Sequence, residues 1–504
     1  MMNKTYEQLL PYMEKSYALN TALTLLSWDE ETLAPREGME FTSKAIGTLS
    51  NELFSTLMNP ELKKLLKKLS EEKEQSSLSE CEKAVVKNLK KSFDELEPIP
   101  QKDYRLYSEL IAKASSIWAS AKAKSCFEEF APTLKEIVEY NKKFAKLRAK
   151  DGQEPYDVLL NTYEEGFTME KLDEFFGKIK SAVVPLLQKV KAKNDCIDKS
   201  YNFRHYEIDR QREFCRYLAG YEGFDFNRGV MAESEHPFTT NLHNHDVRIT
   251  SHFYENNLES GIFSVIHEAG HAMYEMNVSD ELTLTPAGGG SSMGMHESQS
   301  RFFENIIGRS ADFWLPIYGR LQETFPEQLS DVPLSRFIQG INKAEPSLIR
   351  TEADELTYPL HIMIRYEIER MLFHDEITVD ELPRVWNQKY KDYLGVEPSN
   401  DAEGVLQDVH WSGGSFGYFP SYAIGSAIAA QIYAYMKKVM PFDDYLREGN
   451  LTPIREFLRL HIHQYGSSKN TTKLLQGMMN EDLNADYYVD YLTEKYTRLY
   501  GLEN

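Results

Sequence analysis

The pentapeptide His267-Glu268-Ala269-Gly270-His271 sets two imidazoles four residues apart with a carboxylate between them. On a helix, residues four apart share a face, so both rings point at one metal ion while Glu268 projects about 100° away, beside the ion's open coordination position. That is the layout of a zinc hydrolase. The surrounding residues 261–275 contain no proline and carry Ile262, Phe263, Ile266 and Met273, which a packed helix buries. A catalytic zinc usually takes three protein ligands and leaves one position for water. The third is expected in the helical stretch 296–304, which carries His296, Glu297 and Glu304. Adjacent helical residues diverge by about 100°, so only one of His296 and Glu297 faces the ion. Geometry favours Glu297 and leaves His296 and Glu304 as alternatives.

Several elements must position these residues. Residues 235–254 are rich in β-branched and aromatic types, and Asn244-His245-Asp246 reads as the turn of a hairpin whose second strand, 247–254, leads into the metal helix. Such a strand edge can hold an extended peptide by main-chain hydrogen bonds. The loop 286–294 is glycine-rich but lacks the Gly-Lys-Ser/Thr ending of a phosphate loop, so it reads as a flexible connection. Upstream, residues 6–149 show helical periodicity, clearest at 62–69 and 81–96, with breaks at Pro35, Pro60 and Pro98–Pro100. A further helix spans 169–194, where Pro185 is expected to kink or divide it. Downstream, Thr378 and Glu381 form a capping box before a helix over 382–394, and the aromatic, glycine-bearing stretch 409–420 reads as irregular or strand. The fold class is therefore mainly α with a small β-sheet beside the metal-binding helix. The expected organisation is a single domain, 1–504, in which 1–230 form one wall of a cleft and 231–504 carry the motifs.

A chain of 504 residues with 41% hydrophobic and 27% charged residues can bury a large core. Its net charge of −21 argues against nucleic acid and anionic membrane as partners, since both reward basic patches. The four cysteines show no Cys-x-x-Cys spacing, so they suggest neither a thiolate metal site nor a redox motif. The polar, acidic start lacks the apolar region of a secretory signal, and the stretch 420–436 is too short and too interrupted to span a bilayer; both favour a cytoplasmic location.

Six motifs in order carry a resemblance to a known family: His236-Pro237-Phe238, Asp246-x-Arg248-x-Thr250, His267-Glu268-x-x-His271, His296-Glu297-Ser298-Gln299, Ile349-Arg350-x-x-Ala353-Asp354 and Gly404-x-x-Gln407-Asp408-x-His410-Trp411. Through them the sequence resembles the carboxypeptidase Taq family of zinc metallocarboxypeptidases. The resemblance implies a large helical, two-lobed body around a deep cleft, commonly a homodimer, that removes single residues from the free C-terminus of peptides. It also implies Zn2+ held by His267, His271 and Glu297, with Glu268 as general base and acid. Co2+ or Mn2+ can occupy the same ligands. Distantly related zinc peptidases place a His and a Tyr as oxyanion donors from a comparable stretch, which nominates His410 and Tyr422.

An exopeptidase of this kind must also recognise a terminal carboxylate, which a guanidinium does through paired charge-assisted hydrogen bonds. Arg248 and Arg350 sit in the motifs and are the candidates, although an Arg beside a carboxylate such as Asp354 is as often a structural ion pair. His236 and Asp246 either line the same pocket or fix the hairpin. A zinc oligopeptidase cutting internal bonds would share the metal ligands and Glu268 but need no docking Arg. A peptide-binding protein with a dead site would not need Glu268 at all.

Overall fold

The computed structural model describes residues 3–502, which form helices joined by short turns and one three-stranded sheet. The chain is thus mainly α. It divides into two compact units, one built from the segments up to Leu96, Ser200–Phe337 and Tyr435–Asp482, the other from Glu97–Lys199, Ile338–Ala434 and the segment from Leu483. No described helix is long and apolar enough to cross a membrane.

In the first unit, strand β1 (Gly229–Glu233) runs parallel to β3 (Asp246–Ser251), and β2 (Thr239–His243) pairs antiparallel with the other edge of β3. The hairpin β2–β3 turns at Asn244 as its sequence indicates, and β3 stops at Ser251 rather than Tyr254. β1 was not expected. Its side chains are half-buried or exposed, so it lacks the alternation that marks a strand locally, and its hydrogen bonds come from β3. Helix α1 (Ile208–Glu222) and the sheet both pack on α2 (Leu258–Met276), which is buried along most of its length; Ile262, Phe263, Ile266 and Met273 all face the interior. Farther out, helix Pro60–Leu69 buries Leu62, Leu66 and Leu69 and leaves its lysines outside, the outcome its three- and four-residue spacing dictates. With Val85, Val86, Leu89 and Phe93 these leucines form a satellite core.

The loop after α2 departs from expectation, because it is pinned rather than flexible. Gly290 N donates to Glu275 Oε1 at 3.0 Å, Ser291 N to the Tyr274 hydroxyl at 3.0 Å, and Ser292 Oγ caps helix α3 (Met293–Arg301). Backbone donors need partners once buried, and here side chains of α2 supply them.

At the end of α1 the Glu222 side chain is fully buried, and among the described residues neither of its oxygens has a hydrogen-bond partner. Burial pushes its pKa well above the ordinary carboxyl range. The folded state therefore holds Glu222 protonated, its contribution is intact below the unfolded pKa of about 4.3, and unfolding releases a proton above it. Stability is expected to fall as pH rises from there, by up to about 1.4 kcal/mol per pH unit until the folded pKa is reached. Glu222→Gln should remove this slope. Urea unfolding of parent and variant at two pH values checks it, and parallel behaviour of the two proteins would count against the buried acid.

In the second unit, helix Met169–Lys191 continues through Pro185 without division, because Val183, Leu186, Leu187 and Val190 are buried on either side and outweigh one lost backbone bond. The capping box Thr378–Glu381 forms as read and precedes helix Leu382–Tyr393. Helix α4 (Tyr358–Phe373) is nearly all buried. The stretch before helix α5 (Pro420–Val439) is irregular apart from a 3₁₀ turn at His410–Gly413. Glu369 of α4, fully buried, holds that stretch: it accepts from Trp411 Nε1 at 2.8 Å, Gly417 N at 2.7 Å and the Tyr156 hydroxyl at 2.8 Å.

Candidate metal centre

His267 and His271 lie one turn apart on α2, with ring centroids 4.8 Å apart and planes at 83°. Their Nε2 atoms stand 3.7 and 3.5 Å from Glu297 Oε2 on α3. Donors about 2.0–2.1 Å from a tetrahedral ion are separated by about 3.4 Å, so this trio of two imidazole nitrogens and one carboxylate oxygen fits a divalent metal. Among the described residues no other group of three His, Cys, Asp or Glu side chains meets at such distances.

Each donor is held from behind. Arg301 Nε donates to Glu297 Oε1 at 2.6 Å, and Oε2, which also accepts from Ser300 Oγ at 3.2 Å, faces the histidines. His267 Nδ1 is 2.8 Å from Glu304 Oε2, and Glu304 is in turn bound by Arg301 and Arg309. Glu304, a sequence-level alternative for the ligand, thus stands behind His267 on a π turn, Phe302–Ile307, that continues α3. A carboxylate there fixes the ring and strengthens it as a ligand. His296 is not one of the three donors; its Nδ1 lies 2.6 Å from His271 Nδ1, on the far side of that ring from Nε2.

The electrostatics follow from burial against charge. Burial alone would push Glu297 up, yet Arg301 and the two histidines hold it far below the carboxylate range. Burial depresses His271 to about 3, so it is neutral and able to ligate. For His267 burial pulls down, but Glu297 and Glu304 outweigh it and the pKa rises.

Glu268 is buried beside the trio and is not part of it. Thr239 of β2 donates its hydroxyl to Glu268 Oε2 at 2.5 Å. Burial raises the Glu268 pKa, and His267 and the Thr239 hydrogen bond offset part of that rise. Thr239 went unnoticed in the sequence, although its place directly after His236-Pro237-Phe238 was a usable signal.

The second residue of the motif gap, Gly270, decides how closely α2 and α3 approach. A Cβ there would lie 2.8 Å from Ser300 Cα and 2.9 Å from Gln299 O, both backbone atoms. Gly270→Ala should therefore push α3, and Glu297 with it, away from the histidines. The expected cost is about 1–3 kcal/mol of stability with weaker metal retention, seen as a lower thermal midpoint and faster loss to a chelator. A variant as stable and as metal-tight as the parent would show that the helices can part freely.

The remaining candidates fall into two places. Asp246 and Arg248 sit two apart on β3 and therefore share a face; they pair through Nε–Oδ1 and Nη2–Oδ2, both 2.8 Å. The Arg248 guanidinium lies 5.7 Å over the Trp28 ring. His236 is exposed on the turn before β2, its carbonyl accepting from Ser234.

In the second unit Arg350, His410 and Tyr422 come together. His410 Nε2 is 3.2 Å from the Tyr422 hydroxyl, and the Arg350 guanidinium lies 5.0 Å over the Tyr422 ring. Burial lowers the His410 pKa to about 4, Asp408 opposes this, and Arg350 and Arg365 add to the lowering. The ionic partner of Arg350 is Asp408, at 2.9 Å, not Asp354. Asp354 instead accepts from the backbone of Glu345, Leu356 and Thr357 and from the Thr357 hydroxyl. Arg365, fully buried, takes the other oxygen of Asp408 at 2.7 Å. Two guanidiniums thus share one carboxylate, whereas Arg248 and Asp246 are matched one to one.

Comparison with known proteins agrees with this chemistry. The family model for carboxypeptidase Taq (M32) metallopeptidases matches residues 8–496. Carboxypeptidase 1 of Bacillus subtilis is 42% identical over 500 residues, covering 99% of both chains. Thermostable carboxypeptidase 1 of Pyrococcus furiosus is 36% identical, over 98% of this chain and 99% of that protein. The M32 carboxypeptidase structure from Deinococcus radiodurans superposes with a TM-score of 0.95 at 32% identity, covering 99% of each chain. With the ordered motifs and the donor trio in place, the chain belongs to the carboxypeptidase Taq (M32) family of metallopeptidases.

Proposed function

We propose that this metallopeptidase is a zinc-dependent carboxypeptidase that removes single amino acids from the free C-terminus of peptides. The observation that carries the hydrolysis is the donor trio with a buried carboxylate, Glu268, beside it, and membership of a carboxypeptidase family supports action at the free C-terminus. A divalent ion held by His267, His271 and Glu297, zinc first and cobalt or manganese as substitutes, would polarise the scissile carbonyl and acidify water. Glu268 takes the proton of the attacking water and delivers it to the leaving amine. Thr239 occupies Oε2 of Glu268, which orients Oε1 for that transfer. His410 and Tyr422 are assigned as donors to the tetrahedral oxyanion, a role suited to a neutral imidazole and a phenol already in mutual contact.

Arg350 is the first choice for the substrate's carboxylate, because its surroundings hold two guanidiniums against one carboxylate and so carry net positive charge. Arg248, paired with Asp246, is the second choice, and His236 and Asp246 either line the pocket of Arg248 or fix the hairpin. A homodimer, which the family resemblance implies, completes the proposal.

The test uses metal-loaded protein and peptides with free or amidated C-termini, followed by mass spectrometry. Stepwise loss from the free end alone supports the reading, and internal cleavage of amidated peptides would replace it with an endopeptidase. Arg350→Ala should lower kcat/KM on free peptides by about 10- to 100-fold, mainly through KM, the worth of a lost charged hydrogen bond. Lys should restore only part, lacking the two-donor fork. Amidated peptides should lose little more on mutation, and equal losses on both substrates would mark Arg350 as purely structural.

A further inference from the structure

Both nitrogens of His296 are engaged. Nδ1 meets His271 Nδ1 at 2.6 Å, and Nε2 meets Glu275 Oε1 at 2.7 Å. The same Glu275 oxygen accepts from Gly290 N, and its other oxygen accepts from the Asn241 side-chain amide of β2. Glu275 is buried, so these groups are its solvation.

The chain of contacts has a direction. A carboxylate only accepts, so His296 Nε2 carries the hydrogen toward Glu275 and a neutral His296 presents a bare Nδ1. His271 Nδ1 must then donate to it. That leaves the His271 Nε2 lone pair free on the side where Glu297 Oε2 stands 3.5 Å away. The opposite direction would put a hydrogen on His271 Nε2 and block it as a ligand. The two ligand histidines are therefore supported differently: His267 by a carboxylate directly, His271 through an intervening imidazole.

The glycine-rich loop, which the proposed chemistry does not use, closes this arrangement. A Cβ at Gly290 would lie 2.5 Å from His296 Cδ2 and 3.1 Å from the Tyr274 ring, so only glycine lets the loop backbone cover the His296 ring. The ring is held between that loop and Tyr274, whose centroid is 5.4 Å away.

We propose that His296 is the positioning residue of the metal centre: relayed from Glu275 and clasped by the loop at Gly290, it orients His271 and fixes which of its nitrogens is free to bind the ion. This rests on the trio being a metal site, and the experiment separates the two ideas. Zinc affinity is measured by competition with a chromophoric chelator for the parent, His296→Ala, His296→Phe and His296→Gln, and the ligand-field spectrum of each Co2+ form is recorded. Ala and Phe should weaken zinc by about 10- to 100-fold and alter the Co2+ spectrum, the usual scale for losing a ligand's supporting partner. Gln, whose amide oxygen accepts from His271 while its amide nitrogen donates to Glu275, should restore most of the affinity.

Phe keeps a ring beneath the loop without a nitrogen, so it stands in if the Ala variant fails to fold. A parent that binds zinc tightly while Ala and Phe match it within twofold overturns the positioning role and leaves the metal reading intact. Failure of Gln to do better than Phe also overturns it. A parent that binds no zinc overturns both.

Discussion

Glu268→Gln is expected to keep its full complement of metal and lose about 10²- to 10⁴-fold in kcat, the usual worth of a positioned general base. The separation of the two effects follows from position. Glu268 contributes no atom to the donor trio, so its charge is not needed to hold the ion. Gln preserves size and can still accept from Thr239, so the packing of β2 on α2 survives. What it loses is an oxygen that can take a proton. Metal analysis after dialysis and steady-state kinetics on a free-C-terminus peptide read the two quantities independently. Turnover near the parent's in a metal-replete variant would remove Glu268 from the chemistry, and loss of metal would mean that it helps to hold the ion.

The second large effect lies in the other unit. Asp408→Ala should destabilise the protein by about 3–5 kcal/mol, because it strands Arg350 and Arg365 as uncompensated buried charges. Burial would raise the Asp408 pKa, but Arg365 and Arg350 outweigh it and hold the carboxyl ionised. Removing it leaves two cations with the neutral partners Gln407, Tyr358 and Tyr390. By contrast, Arg350→Ala keeps the Arg365–Asp408 pair and should cost less. Urea unfolding of the two variants checks the order, and a milder effect for Asp408→Ala than for Arg350→Ala would contradict it.

Much of the fold was legible in the chain because it depends on local periodicity. Apolar residues at three and four spacing in 62–69, and a proline-free apolar run around His267, bury the same face whatever they pack against. A turn signal between β-rich stretches produced the hairpin β2–β3, and the i,i+2 spacing of Asp246 and Arg248 put them on one face. Pro185 does not divide its helix, because the local penalty of one backbone bond is set against long-range burial that the periodicity alone does not weigh.

Within the site, spacing by itself determined that His267 and His271 share a helix face, that Glu268 lies off it, and that a third ligand was due from the helix around residue 297. Only the tertiary structure decided which of His296, Glu297 and Glu304 turns its donor toward the histidines, because that depends on how closely α3 lies on α2, and the contact at Gly270 sets it. The same holds for Arg350 and Asp408, 58 residues apart, for Thr239 and Glu268, 29 apart, and for the loop glycine that covers His296. Helical and strand periods fix the direction of a side chain relative to its own backbone. The partner it meets is set by packing angles between elements distant along the chain, which no local pattern encodes.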